Sequence, residues 1–82
     1  MVIKNKKTIL VTGGSGYIGS HVVRYFLDNN FKVINIDRLI FKHDSSIDLN
    51  KNTSYKFYNL DIRNIDEIKN EIKEVDHVVH LA

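Results

Sequence analysis

The chain has 82 residues, with 12 Lys and Arg against 10 Asp and Glu, a net charge of +2 and 43% hydrophobic residues. That length holds one small domain at most, able to bury only about 60% of the surface its unfolded form exposes, and the composition is that of a globular protein rather than a disordered one. The absence of cysteine excludes disulfide scaffolds, thiolate metal sites and thiol catalysis. No apolar run reaches the ~18–20 residues of a bilayer span. The basic start is followed by an apolar stretch too short for a secretory signal, with no small-residue cleavage site. The expectation is a cytoplasmic protein with no membrane contact. A charge this small does not point to nucleic acid, and Lys4, Lys6 and Lys7 read as a solvated tail.

In chain order, Thr8 to Thr12 (TILVT) is a short apolar run ending at glycines, the pattern of a buried strand. Ile18, Val22, Val23, Phe26 and Leu27 recur at helical spacing and predict a helix over Ile18 to Asn29 with these residues as its buried stripe. Asn29-Asn30 is a suitable stop, because Asn tolerates the left-handed conformation. Lys32 to Asp37 (KVINID) is rich in β-branched residues and reads as a second strand. The polar stretch from Phe41 to Ser54 reads as a long surface loop with at most a helical turn, a kind of loop that often carries binding function. Tyr55 to Leu60 is a third strand. Asn64 and Glu67 form a capping box that opens a second helix, with Ile65, Ile68, Ile72 and Val75 on its buried face. Asp76 to Ala82 (DHVVHLA) is a fourth strand. Strands separated by helices in this order imply an α/β fold, a Rossmann-like parallel sheet with right-handed crossovers and strand order 3-2-1-4. The last strand leaves the sheet partly uncovered, so residues 1–82 read as the amino-terminal half of such a domain, cut after its fourth strand.

All four glycines lie between Gly13 and Gly19, in TGGSGYIGS, after a predicted strand and at the opening of a predicted helix. That is the context a dinucleotide-binding fingerprint requires. Gly13 turns the chain off the strand, Gly16 lets a pyrophosphate approach the backbone, and Gly19 lets the helix pack closely on the sheet. The helix N-terminus offers free N–H groups to the phosphates. The spacing Gly13-x-x-Gly16-x-x-Gly19 is wider at its start than the G-x-G-x-x-G of ordinary dehydrogenases. Asp37, at the end of the second strand, is placed to accept from the adenosine ribose hydroxyls and to repel a 2′-phosphate, which favours NAD over NADP. Arg38 beside it works against that preference. Asp61 and Ile62, after the third strand, would border the adenine, Asp61 accepting from the exocyclic amine and Ile62 covering the ring.

These segments together resemble the start of an extended short-chain dehydrogenase/reductase, the NAD-dependent epimerase/dehydratase family acting on nucleotide sugars. Three segments carry the resemblance: TGGSGYIGSH at Thr12–His21, LDIRN at Leu60–Asn64, and DHVVHLA at Asp76–Ala82. Val33 to Leu39 (VINIDRL) and the aromatic Phe41 resemble the dTDP-glucose 4,6-dehydratase branch, whereas Lys42-His43 depart from it. UDP-glucose 4-epimerases usually carry Asn where this chain has Arg38. The resemblance implies that Tyr17, Ile18, Asp37, Arg38, Asp61, Ile62, Leu81 and Ala82 contact NAD alongside the glycines. It also implies a nucleotide-sugar substrate and a homodimeric parent protein. Enzymes of the family need a Tyr-x-x-x-Lys pair, the Lys lowering the Tyr pKa for proton abstraction. The residues four positions after Tyr17, Tyr25, Tyr55 and Tyr58 are His21, Asn29, Asn59 and Ile62, so no catalytic residue is expected in this chain.

His77 and His80 would point to opposite faces of a strand and cannot share a metal. His21 and His43 show no partner in the sequence, and no metal site is expected. Three readings remain at this point: the NAD-binding fragment of a dehydratase or of an epimerase-like enzyme, a non-catalytic nucleotide-binding module, or an inert remnant.

Overall fold

The computed structural model describes residues 6–39 and 47–81. Four strands, β1 (Thr8–Thr12), β2 (Lys32–Asp37), β3 (Tyr55–Asn59) and β4 (His77–His80), form one sheet in the order β3-β2-β1-β4. Every pairing is parallel. The expected α/β architecture and strand order are therefore present. The register aligns Thr12 with Ile36 on one side and His80 on the other, and Asp37 with Asn59. All four carboxyl ends thus reach the same edge of the sheet, where open α/β sheets bind their ligands.

Alternation along the strands divides the core in two. Ile9, Val11, Val33 and Tyr55 face helix α1 (Tyr17–Asp28) and bury its Val23. Leu10 and Ile36 face the opposite side, where Ile68 covers them, with Ile65, Ile72 and Val75 half-buried beside it. The central strand is the best covered: Ile9 to Thr12 are all buried. Helix α1 ends where the sequence predicts. Asn30 takes a φ of 70°, its amide bonds the Leu27 carbonyl, and the amide of Phe31 reaches Phe26 O at 3.0 Å. This is the double closure that a left-handed residue after a helix permits.

Two expectations change. Ile18 is 70% exposed and does not belong to the buried stripe of α1, because the helix turns its Val23 and Gly19 inward instead. The second helix does not open at Asn64. Asp61 caps a 3-10 helix over Ile62–Ile68, its carboxylate accepting from the Arg63 amide, and only one α-helical turn follows, α2 (Lys69–Ile72). Asn64 sits at a kink inside this segment, with φ −104° and ψ 21°. Its own amide is used by the Asp61 carbonyl at 2.8 Å, so the capping function passes to the earlier carboxylate. The apolar spacing still works, since Ile65, Ile68, Ile72 and Val75 all meet the sheet.

Within the predicted long loop the structure forms a 3-10 helix at Ile47–Lys51. Arg24 of α1 holds Asp48 there through two hydrogen bonds of 3.0 and 2.7 Å. Lys4, Phe41, Lys42, His43 and Ala82 lie outside the described residues. Lys6 donates to Ser54 Oγ, so that part of the basic tail touches the loop before β3. Among the described residues no helix is long and apolar enough to cross a membrane, and no cluster of His, Cys, Asp and Glu has metal-ligand geometry.

Candidate cofactor site

The glycine turn is fastened to β2 by three successive residues of that strand. The amide of Gly13 donates to Ile36 O at 2.8 Å. The amide of Gly14 donates to Asn35 Oδ1 at 2.8 Å. The amide of Ser15 donates to Asp37 Oδ2 at 3.0 Å. A turn whose inner amides are all used in this way has a fixed outer surface. The next amide, Gly16 N, turns back on Gly13 O at 3.4 Å. Tyr17, Ile18 and Gly19, the first turn of α1, have no acceptor for their amides among the described residues. Gly16 provides no side-chain cap and the first turn carries no acidic residue. These N–H groups, with the positive end of the helix dipole behind them, suit an anionic group.

The glycines divide the work differently from the sequence reading in one respect. Gly13 has a φ of 79°, the left-handed turn expected of it. Gly16 has room for a Cβ, which would meet only Gly13 O at 3.7 Å, so nothing inside the protein demands glycine there. That is the pattern of a position kept bare for a ligand. At Gly19 a Cβ would collide with the Gly13 carbonyl oxygen and lie 2.8 Å from Gly14 Cα. Gly19 therefore lets the helix close on the glycine turn itself and not on the sheet. Packing against the sheet is the role of Gly14, where a Cβ would stand 2.5 Å from Asn35 Oδ1 and 2.9 Å from Val23 Cγ2.

Asp37 lies at the end of β2 beside the turn, half-buried. Its Oδ2 receives the Ser15 amide and its Oδ1 the Leu39 amide at 2.8 Å. Both bonds orient the carboxylate and leave each oxygen a further lone pair for a hydroxyl donor. Leu39 pays for its bond with a φ of 54°, a left-handed conformation that side chains with a Cβ rarely adopt. The strain sits immediately beside the candidate ribose acceptor.

Arg38 reaches toward the third strand's end, with its Nε 3.4 Å from Asp61 Oδ2. Arg63 makes the closer contact, with Nη2 at 2.7 Å from the same oxygen. The Arg63 side chain and amide hold the Asp61 carboxyl down to about 2, well below the usual carboxylate range, with Arg38 adding a smaller effect. Asp61 is thus ionised and pinned at the mouth of the crevice, with Ile62 half-buried beside it. On the other side of β1, the Leu81 amide donates to Thr12 O at 3.0 Å and to Thr12 Oγ1 at 3.1 Å. Thr12 Oγ1 also meets His80 Nδ1 at 2.6 Å, which fixes the end of β4 against the start of the turn. His80 has this hydroxyl as its partner, and His21 packs edge-on against Tyr17 at 4.9 Å between ring centroids. Tyr17 and Ile18, in the first turn of α1, are exposed, and Leu81, just after β4, is 44% exposed.

Three residues of this site escape the glycine-and-acid pattern: Ser15, Asn35 and Tyr55, all buried. The available signal is the Asn in KVINID, a polar side chain at the second position after Val33, and so on the same face as core residues. A buried amide must find partners, and here they are Gly14, Ser15 Oγ and Tyr55 OH.

A four-stranded parallel sheet with a glycine turn at the carboxyl end of β1, a helix N-terminus opening from it and an acid ending β2 defines a dinucleotide-binding Rossmann-type unit. Residues 9–82 match the model of the NAD dependent epimerase/dehydratase family. A putative UDP-glucose 4-epimerase of Methanocaldococcus jannaschii is 43% identical over 90% of this chain and 23% of its own length. The dTDP-glucose 4,6-dehydratase of Haemophilus influenzae is 42% identical, also over 90% of this chain and 23% of its own. Among solved structures, the dTDP-glucose 4,6-dehydratase of Bacillus anthracis, in complex with NAD, superposes with a TM-score of 0.79 at 34% identity, covering 93% of this chain and 26% of that one. The chain belongs to the NAD dependent epimerase/dehydratase family, and it spans about a quarter of the length of the relatives it matches.

Proposed function

We propose that this chain binds NAD and forms the cofactor-holding amino-terminal part of a nucleotide-sugar 4,6-dehydratase of the dTDP-glucose type. One observation carries the cofactor reading: β2 ties down the inner amides of the glycine turn and leaves the amides of Tyr17, Ile18 and Gly19 open beside the oriented carboxylate of Asp37. The pyrophosphate would lie over Gly16 against those amides, and the adenosine ribose would donate to Asp37. The adenine would rest between Asp61 and Ile62, with Arg38 at its edge, and Leu81 would contact the cofactor from the end of β4. NAD supplies hydride transfer when bound. The residues of this chain would orient it, and no Tyr among them is followed four positions later by Lys. Under this reading the sugar nucleotide, the dimer contacts and the proton-transferring pair would lie outside these 82 residues. A cytoplasmic location and lyase chemistry go with this reading.

The dehydratase assignment draws support from VINIDRL, from the relatives of that name and from the similar NAD complex. An epimerase-like parent is the second reading, favoured by the identity to the putative UDP-glucose 4-epimerase. Calorimetric titration of NAD into the chain and into Gly16→Val, both checked for folding by circular dichroism, tests the cofactor site. Loss of binding in the folded variant is expected. Equal affinity in the two would show that the phosphates do not lie over Gly16.

A further inference from the structure

We infer that Asn35 is a positioning residue for the cofactor, acting through the glycine turn and held in place by the hydroxyl of Tyr55. The inference rests on the NAD reading above. Asn35 is 0% exposed and sits in the penultimate turn-facing position of β2, below Gly14. Its carboxamide has one acceptor and two donor hydrogens to satisfy. Oδ1 takes the Gly14 amide at 2.8 Å. Nδ2 donates to Ser15 Oγ at 3.0 Å and to Tyr55 OH at 2.9 Å. All three demands are met, and no buried side-chain polar atom among the described residues is without a partner.

The arrangement is directional. Two of the three bonds go to consecutive residues of the glycine turn, and the third goes to Tyr55 of β3. Tyr55 opens β3, where it pairs in register with Val33, and its ring is 6% exposed within the core. The network therefore braces the turn against the far strand of the sheet. Ser15 is held twice, by its hydroxyl on Asn35 and by its amide on Asp37. Rotation of the Asn35 carboxamide would move the Gly14–Ser15 peptide, and with it both the surface offered to the pyrophosphate and the carboxylate offered to the ribose. A hydrophobic side chain of the same size would fill the space but leave the Gly14 amide buried and unpaired. Asn35 touches no part of the cofactor under this reading, so its effect is on geometry alone.

The test compares the chain with Asn35→Ala and Tyr55→Phe, using NMR hydrogen exchange of the turn amides, and NAD and adenosine titrations, at a temperature where each variant is folded. Tyr55→Phe keeps the buried ring and serves where Asn35→Ala does not fold. Exchange at Gly14 and Ser15 should quicken in the variant while Val11, in the middle of β1, stays protected. NAD affinity should fall roughly threefold to tenfold, as expected for one or two lost hydrogen bonds, with adenosine affinity falling less. A purely structural role would instead expose Val11 with the turn and weaken both ligands alike, and that result overturns the inference. So does unchanged exchange at Gly14, or faster exchange with NAD affinity intact. If the wild-type chain itself takes no NAD, the cofactor reading fails on its own evidence. That outcome overturns the cofactor role of Asn35, while the exchange data still report whether Asn35 braces the turn.

Discussion

Gly14 stands over the carboxamide of Asn35 so closely that a Cβ on it would lie 2.5 Å from Oδ1, the same oxygen its amide reaches at 2.8 Å. The hydrogen bond and the missing side chain are one requirement. Gly14→Ala has to push away Asn35 or Val23, both fully buried, and should lose about 1–3 kcal/mol of stability. For a domain of this size that is a fall in Tm of at least about 4 °C. Gly19→Ala should be worse, because its new methyl meets the backbone of Gly13 and Gly14 with no flexible end to yield. Thermal unfolding followed by circular dichroism checks the order. A Gly19→Ala chain as stable as the wild type would show that the helix does not close on the turn as described.

Gly16 separates stability from binding. A Cβ there has ordinary clearance, and its φ of −75° suits any residue. The lost backbone entropy of the unfolded chain favours Ala, and the poorer N-cap disfavours it, each by about 0.5–1 kcal/mol. Gly16→Ala should thus leave the urea midpoint nearly unchanged while weakening NAD about tenfold or more, since the methyl occupies the approach of the pyrophosphate. Paired unfolding and calorimetric titrations decide this. A variant with an unchanged midpoint and unchanged affinity would remove the phosphates from Gly16.

The contrast among these glycines shows how far the sequence reaches. The strands, the helix α1 and the glycine turn follow from period, turn residues and spacing, because each is a local signal, while the strand order follows from the fold class and the family from a resemblance. The division of labour between Gly14 and Gly19 does not follow, because it depends on which element lies behind each Cα in space. Asn35 is visible in KVINID as a polar residue on a core face, but its partners Ser15 and Tyr55 are brought to it only by the registers of β2 with β1 and with β3. The misplaced start of the second helix has a local cause. Two residues able to cap, Asp61 and Asn64, compete within one turn, and the pairing of Asp61 with Arg63 decides for the first. Ile18 fits the apolar spacing of α1 yet is exposed, because the helix turns Gly19, Ser20 and Val23 inward and leaves Ile18 on its outer side.

Asp37 serves both the turn and the ligand. Asp37→Ala removes the acceptor of the Ser15 and Leu39 amides, and should cost about 1–2 kcal/mol of stability. It also removes the charge that excludes a 2′-phosphate. NAD affinity should fall about tenfold or more, and the preference for NAD over NADP should shrink. Titrations with the two cofactors measure the ratio. If the ratio stays at its wild-type value while NAD weakens, Asp37 acts only by holding the turn.

Asp61 makes the acid side of the stability curve testable. Its carboxyl titrates at about 2 in the folded chain, chiefly because Arg63 holds the ionised form, against an ordinary value of about 3.9 when unfolded. A depressed folded pKa means that the unfolded chain binds its proton first. The stabilisation by Arg63 is therefore complete above about pH 4 and disappears as the pH falls toward about 2. Arg63→Ala should lower the urea midpoint at pH 6, and the gap to the wild type should narrow steadily between about pH 4 and pH 2. Because the pair is at the surface, added salt should narrow the gap at pH 6 as well. A gap that stays constant down to pH 2 would mean that Arg63 contributes by packing or helix propensity and not by its charge on Asp61.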